Sequence, residues 1–169
     1  KDKRGELMIY AVIAAGGIGS RMGADKPKQY IEIGGKPIIA HTAEKFLYNI
    51  RTDKVIVLVP DEWLDYTKEI FTGTDVIVIC GGETRNETLM RAIDYIESTD
   101  GLRDDTYLVT HDAVRPFVTD DIINANINAM LKFGATGTVI PATDTVFKRE
   151  KGEVIDSIPD RSELYQAQT

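Results

Sequence analysis

Between Ala14 and Lys28 the sequence sets four glycines (Gly16, Gly17, Gly19, Gly23) among three cations (Arg21, Lys26, Lys28). Glycine lets backbone N–H groups approach a ligand closely, and guanidinium and ammonium groups supply the charge that a polyphosphate demands. The stretch follows an apolar run of strand length, Met8 to Ala15, so it reads as a nucleotide loop at a strand end. Two common glycine-rich signatures fail on specific residues. The dinucleotide fingerprint needs a third glycine where Met22 stands, and no frame supplies the Gly-Lys-Ser/Thr of a P-loop. A glycine loop that carries its own Arg and Lys suits a triphosphate under attack. The alternative is a surface loop whose charges are simply solvated.

Two further constellations carry chemistry. Gly81-Gly82-Glu83-Thr84-Arg85-Asn86 is a second glycine turn opening a helix. Its backbone could approach a base or ribose, with the Thr88 hydroxyl in the first helical turn, or it is an ordinary strand-to-helix turn. In His111-Asp112-Ala113-Val114-Arg115-Pro116, Asp112 is suited to magnesium, which takes a few carboxylates together with phosphate oxygens and water. The competing reading pairs Asp112 with Arg115 as an internal ion pair. His111 has no partner at zinc-ligand spacing, and with two histidines and one cysteine, Cys80, it reads as structural.

These residues need elements to position them, and the periodicity supplies them. Strands are expected over Met8 to Ala15, Lys54 to Val59, Asp75 to Cys80, Tyr107 to Thr110 and Gly137 to Pro141. Tyr30 to Gly35 reads as a short strand and turn. Helices are expected from Pro37 to about Asn49, after an Asp61 cap, over Asn86 to Ser98, and from a Thr119 cap to about Phe133. Strands alternating with helices argue for a Rossmann-like α/β fold, with a mainly parallel sheet covered on both faces. In such sheets ligands bind beyond the carboxyl ends of the strands. The unusual residues, Gly16-Gly17, Gly81-Gly82, His111-Asp112 and those after Pro141, all follow strand ends.

Composition bounds the rest. At 169 residues, 43% apolar and 28% charged, the chain has the size and balance of one globular domain, taken as 7–169. A net charge of −7 argues against a nucleic-acid polymer as partner. A lone cysteine and the lack of a membrane-length apolar run or secretory signal point to a cytoplasmic protein. The tail differs. Thr145 to Arg149 and Glu153 to Ile158 alternate like two strands with too little sequence behind them to form a core. That hairpin, within 143–160, must lie on the main sheet or on a second chain.

Taken in order, the loop ending in Pro27-Lys28-Gln29, then Gly81-Gly82 with Arg85, His111 to Pro116, Asp144-Thr145, Asp160-Arg161 and Gln166 to Thr169 resemble the sugar-phosphate cytidylyltransferases. These make 4-diphosphocytidyl-2-C-methyl-D-erythritol or CDP-ribitol. The resemblance runs from about Met8 to the last residue. It implies a nucleotide-diphospho-sugar transferase fold and CMP transfer from CTP to a sugar or polyol phosphate, releasing pyrophosphate. It further implies that Ala14, Ala15, Gly16 and Gly17 line the cytosine and phosphate path. Arg21 and Lys28 would hold the triphosphate, Gly82, Glu83 and Thr88 would contact the cytidine, and Asp112 would bind the metal. The tail would be an arm across a homodimer, with Thr145 and Arg161 gripping the acceptor phosphate. The family continues past Gln168-Thr169 with a lysine-containing stretch that this chain does not reach, so the chain is expected to be a fragment or an incomplete site.

Arg85-Asn86-Glu87-Thr88, Val114 and Tyr165 look more like the ribitol branch, which makes D-ribitol 5-phosphate the expected acceptor and methylerythritol phosphate the alternative. A nicotinamide-dependent oxidoreductase is disfavoured by Met22, and weakly by Pro60 at the end of the second strand. The non-enzymatic alternative is a nucleotide-binding or dimerisation module.

Overall fold

The computed structural model describes residues 7–16, 26–149, 152 and 154–167. The chain divides into two compact units, Lys1–Asn124 and Ala125–Thr169.

Unit 1 is centred on β1 (Met8–Ala14), whose five inner residues are all buried. Burial on both faces explains why its sequence is continuously apolar rather than alternating. A hairpin of β2 (Glu32–Ile33) and β3 (Lys36–Pro37) follows. Its two-residue turn puts Gly34 and Gly35 at φ 62° and 79°, the left-handed pair that a type I′ turn requires. Then come α1 (Ile38–Leu47), β4 (Lys54–Val59), α2 (Leu64–Ile70), β5 (Val76–Cys80), α3 (Arg85–Thr99) and β6 (Thr106–Asp112). Helix α4 (Asp120–Phe133) contains the division between the units.

The four main strands pair in parallel in the order β5-β4-β1-β6. Side chains alternate between the two faces. On one, Tyr10 and Val12 pack with Ile56, Leu58 and the α3 residues Ala92 and Ile96. On the other, Ile9, Ala11, Ile13, Val55 and Val57 are buried, as are Ile39, Ala43 and Phe46 of α1. The chain builds outward from β1 to β4 and β5, then returns to place β6 on the other side of β1. The strand order therefore reverses between β1 and β6, and such reversals open a crevice at the carboxyl ends of the strands.

At the opposite end of the sheet, the buried Tyr10 hydroxyl donates to Asp100 Oδ2 at 2.7 Å, and Lys54 Nζ donates to the same carboxylate at 2.7 Å. Burial pushes the Tyr10 phenol up to about 12, aided by its bond to the Asp100 carboxylate and by that charge. An unfolded tyrosine ionises near 10, so this group's contribution is complete below about pH 10 and is lost as pH rises through 12. Ultraviolet titration should therefore show one tyrosine ionising near 12. Tyr10→Phe should remove that tyrosine and its part of the alkaline loss of stability.

Three helix starts test the capping expectations. Thr119 caps α4, accepting from Ile122 N–H at 3.4 Å. Asp61 caps nothing. It lies inside a 3-10 turn, Asp61–Trp63, with Pro60 at its N-cap, and α2 starts from Trp63. Pro60 fixes φ and brings no side-chain oxygen, so the turn begins without a cap. Helix α3 starts one residue earlier than expected, because Thr84 and Glu87 form a capping box.

In unit 2, β7 (Val139–Pro141) pairs antiparallel with β8 (Tyr165–Ala167). The expected hairpin is narrower than its alternation suggests. Among the described residues it pairs at one bridge, Lys148 with Ser157. Its apolar residues Val146, Phe147, Val154, Ile155 and Ile158 are all exposed. A two-stranded ribbon without a covered face is marginal, which accounts for the short pairing. Among the described residues, no helix is long and apolar enough to cross a membrane.

Candidate active site

The crevice between β1 and β6 holds a pocket of about 470 Å³. Ala14, Ala15 and Gly16 leave β1 into it, Asp112, Ala113 and Val114 leave β6, and Gly82 to Arg85 and Thr88 reach it from the β5–α3 turn. Lys28 and Gln29 complete the lining. Backbone pairing continues past the strand ends and fixes their spacing. Ala15 N–H donates to Leu58 O at 2.8 Å, Ala113 to Ala14 O at 3.0 Å, and Gly81 to Val59 O at 2.7 Å.

Eight of the residues singled out from sequence thus share one pocket: Ala14, Ala15, Gly16, Lys28, Gly82, Glu83, Thr88 and Asp112. Gly17 and Arg21 lie outside the described residues. Thr145 and Arg161 belong to unit 2, where Arg161 Nη1 donates to Thr143 O at 3.2 Å.

The β5–α3 turn is organised by its own side chains. Thr84 Oγ1 accepts from Glu87 N–H at 3.1 Å, while Glu87 Oε2 accepts from Glu83 N–H at 2.9 Å. The buried Thr88 hydroxyl accepts from Gly82 N–H at 3.1 Å and lies 2.9 Å from the Thr84 carbonyl. That hydroxyl therefore braces the turn. Gly82 is required by close approach, because a Cβ there would fall on Glu87 Cβ and within 2.9 Å of the Glu87 carbonyl carbon. Among the described residues, a Cβ at Gly16 would meet nothing within 4 Å, so on their side that glycine leaves room for a ligand. Gly82→Ala should therefore lower the melting temperature, costing about 1–3 kcal/mol through overpacking. Gly16→Ala should leave the melting temperature alone and weaken nucleotide binding. Thermal melts with and without nucleotide would separate the two.

Asp112 is the electrostatic centre. Arg85 Nη1 donates to its Oδ1 at 2.7 Å and Arg115 Nε to its Oδ2 at 3.1 Å. The ion pair with Arg115 is thus present, and Arg85 adds a second cation from the start of α3. Partial burial pushes the Asp112 carboxyl up. The hydrogen bonds and charges of Arg85 and Arg115 more than offset this, holding it below the usual carboxylate range. His111 lies on the α1 side of the sheet, its ring 5.0 Å from that of Phe46 and Nε2 3.0 Å from the Arg115 carbonyl. Burial lowers its pKa, so neutral His111 donates to that carbonyl, consistent with the structural reading.

Among the described residues, no group of three or more His, Cys, Asp or Glu could hold a metal unaided. Magnesium does not require one, since it commonly takes one or two carboxylates and fills its shell with phosphate oxygens and water. Asp112 is ionised and, since a carboxylate offers about four acceptor sites, it would fit as one ligand of a metal that arrives with a polyphosphate, sharing its oxygens with Arg85 and Arg115.

The family model described as IspD, 2-C-methyl-D-erythritol 4-phosphate cytidylyltransferase, matches residues 9–169. Among solved structures, the 4-diphosphocytidyl-2C-methyl-D-erythritol synthase of Anaerococcus prevotii is 27% identical, with a TM-score of 0.78, over 96% of this chain and 67% of that one. The 2-C-methyl-D-erythritol 4-phosphate cytidylyltransferase of Francisella tularensis is 30% identical, with a TM-score of 0.69, over 96% and 70% of the two chains. The expected α/β nucleotidyltransferase fold is borne out by this likeness and by the parallel sheet.

Proposed function

This chain belongs to the 2-C-methyl-D-erythritol 4-phosphate cytidylyltransferase family, and we propose that it transfers CMP from CTP to 2-C-methyl-D-erythritol 4-phosphate, releasing pyrophosphate. As a member of that family it is a CTP-dependent nucleotidyltransferase. The observation that carries the assignment to this site is the convergence of Lys28, the Gly82 turn and Asp112 on one pocket at the strand-order reversal.

The acceptor differs from the first expectation. The family model and the similar structures are described by methylerythritol phosphate, which favours the alternative over ribitol phosphate. The residues behind the ribitol reading also have local duties. Arg85 binds Asp112, Glu87 closes the capping box, and Thr88 braces Gly82. Local structure thus accounts for Glu87 and Thr88 without reference to the acceptor.

In the proposed reaction an oxygen of the acceptor phosphate attacks the α-phosphorus of CTP. The new P–O bond forms as the bond to the bridging oxygen breaks, and pyrophosphate leaves with that electron pair. A phosphate monoester is largely ionised at neutral pH, its second pKa being about 6, so no protein base is required. Ala14 to Gly16 and Gly82-Glu83 would seat the nucleotide, and Lys28 would stabilise charge on the α-phosphate, with Arg21 in the same role. Asp112 would hold magnesium, which supplies charge neutralisation on the phosphates. Pyrophosphate release with CTP and magnesium, run against both acceptors, tests the proposal. Turnover with methylerythritol phosphate supports it, and turnover with ribitol phosphate alone overturns it.

The exposed apolar residues of the arm favour a homodimer, in which at least one of Thr145 and Arg161 serves the neighbour's site. Burying such a side chain fully is worth about 1.5–3 kcal/mol. Lys28→Ala and Arg161→Ala chains, each inactive alone, should recover part of the activity when mixed. No recovery after verified subunit exchange would place Arg161 in its own chain's site.

A further inference from the structure

Resting on the proposed role of Lys28, we infer that Gln29 is a positioning residue that ties the Lys28 ammonium to the floor of the nucleotide pocket. Lys28, Gln29 and Tyr30 form a single 3-10 turn, closed by Tyr30 N–H to Pro27 O at 2.9 Å. Its three side chains go to three places. Lys28 lines the pocket. Tyr30 is anchored on the α2 side, stacked on Trp63 at 4.6 Å, edge-on to Tyr66 at 5.4 Å, and hydrogen-bonded to Thr67 Oγ1 at 2.7 Å. Gln29 is 2% exposed, and its Nε2 donates to the Ala15 carbonyl at 2.7 Å.

That last bond is the informative one. Ala15 lies one residue beyond the end of β1 and itself lines the pocket. A buried amide is costly unless it is hydrogen-bonded, and here its bond joins two segments of the pocket wall across the residues between them. The same turn is held from the other side by the aromatic cluster, where Lys26 Nζ also lies 5.2 Å from the Tyr66 ring centroid. Lys28 itself has a long side chain with four rotatable bonds, so its reach is defined only if its backbone is fixed. Gln29 fixes that backbone to the pocket floor, and Tyr30 fixes it to α2.

The test is a double-mutant cycle on the intact chain, pairing Gln29→Met, which keeps length and burial but loses the donor, with Lys28→Ala. Binding of CTP and of inorganic triphosphate would be followed through the one tryptophan, Trp63, and by calorimetry, alongside kcat for CMP transfer. Gln29→Met is expected to lower triphosphate affinity and kcat by about three- to tenfold each, because small misplacement of a charged group is costly. Added to Lys28→Ala, it should lower neither further. Effects that multiply in the double variant, or no effect in the single one, would overturn the role. If Gln29→Met does not fold, Gln29→Asn, which keeps the amide but falls short of Ala15, replaces it in the same cycle. A non-multiplying binding cycle without any CMP transfer would remove the proposed activity and leave the positioning role standing. Normal CMP transfer with a multiplying cycle would do the reverse.

Discussion

Replacing Lys28 with alanine is expected to lower kcat for CMP transfer by about 10²–10³-fold, the usual effect of deleting one preorganised donor to developing charge. The melting temperature should stay close to that of the unaltered chain. Lys28 is half-buried in the pocket wall, so its loss leaves a wider pocket and no core cavity. The turn that carries it is held by its neighbours Gln29 and Tyr30, which the substitution leaves intact. A variant with near-normal turnover would remove Lys28 from the chemistry. A variant that loses activity only in proportion to lost folded protein would make it structural.

Asp112→Asn is the second large effect, and its pH dependence separates two contributions. Turnover should fall by at least about tenfold, since neutralisation of phosphate charge by a bound metal is worth several kcal/mol, and excess magnesium should restore only part of it. Stability should change far less. The arginines facing Asp112 are about half exposed, and screened pairs of this kind are worth about 0.2–1 kcal/mol each. Because the Asp112 carboxyl is held below its ordinary range, its contribution is complete above the unfolded carboxylate pKa of about 4. It is lost as the pH falls through the lower folded value. Melting curves of the two proteins should therefore lie apart at neutral pH and converge in acid. Unfolding of the variant at neutral pH, with no response to magnesium, would leave Asp112 as an ion-pair residue only.

The fold and much of the site were legible because both rest on local patterns. Apolar runs that stop at Gly16, Gly81 and His111-Asp112 place those residues at the carboxyl ends of parallel strands, and from there a shared pocket follows. The i,i+3 pairing of Asp112 with Arg115 was visible for the same reason. Its second partner, Arg85, was not, since only the fold brings the start of α3 to the end of β6. Thr84-x-x-Glu87 is a capping-box signature that could have started the helix one residue earlier. The hydrogen bond of Gln29 had no signal at all, because a buried glutamine looks in sequence like any polar loop residue. In the arm only the extent of pairing differs, one bridge among the described residues, since alternation of type reports a tendency to pair and says nothing of whether a face is covered.

The placement of β1 also governs how the molecule comes into being. Met8 ends up beside Thr106, so β1 is paired on one side by β4 and waits for α2, β5 and α3 to be synthesised before β6 closes the other. At about 5–20 residues per second on the ribosome, that is a delay of seconds during which the edge of a fully apolar strand is unpaired. Such an edge is a template for misassociation, and long-range parallel pairing is intrinsically slow. The proposed nucleotide pocket lies at the seam between β1 and β6, the last of the four main strands to be made. A nascent chain therefore has no binding site until its β6 arrives, and nucleotide added during refolding should speed none of the steps that precede that closure.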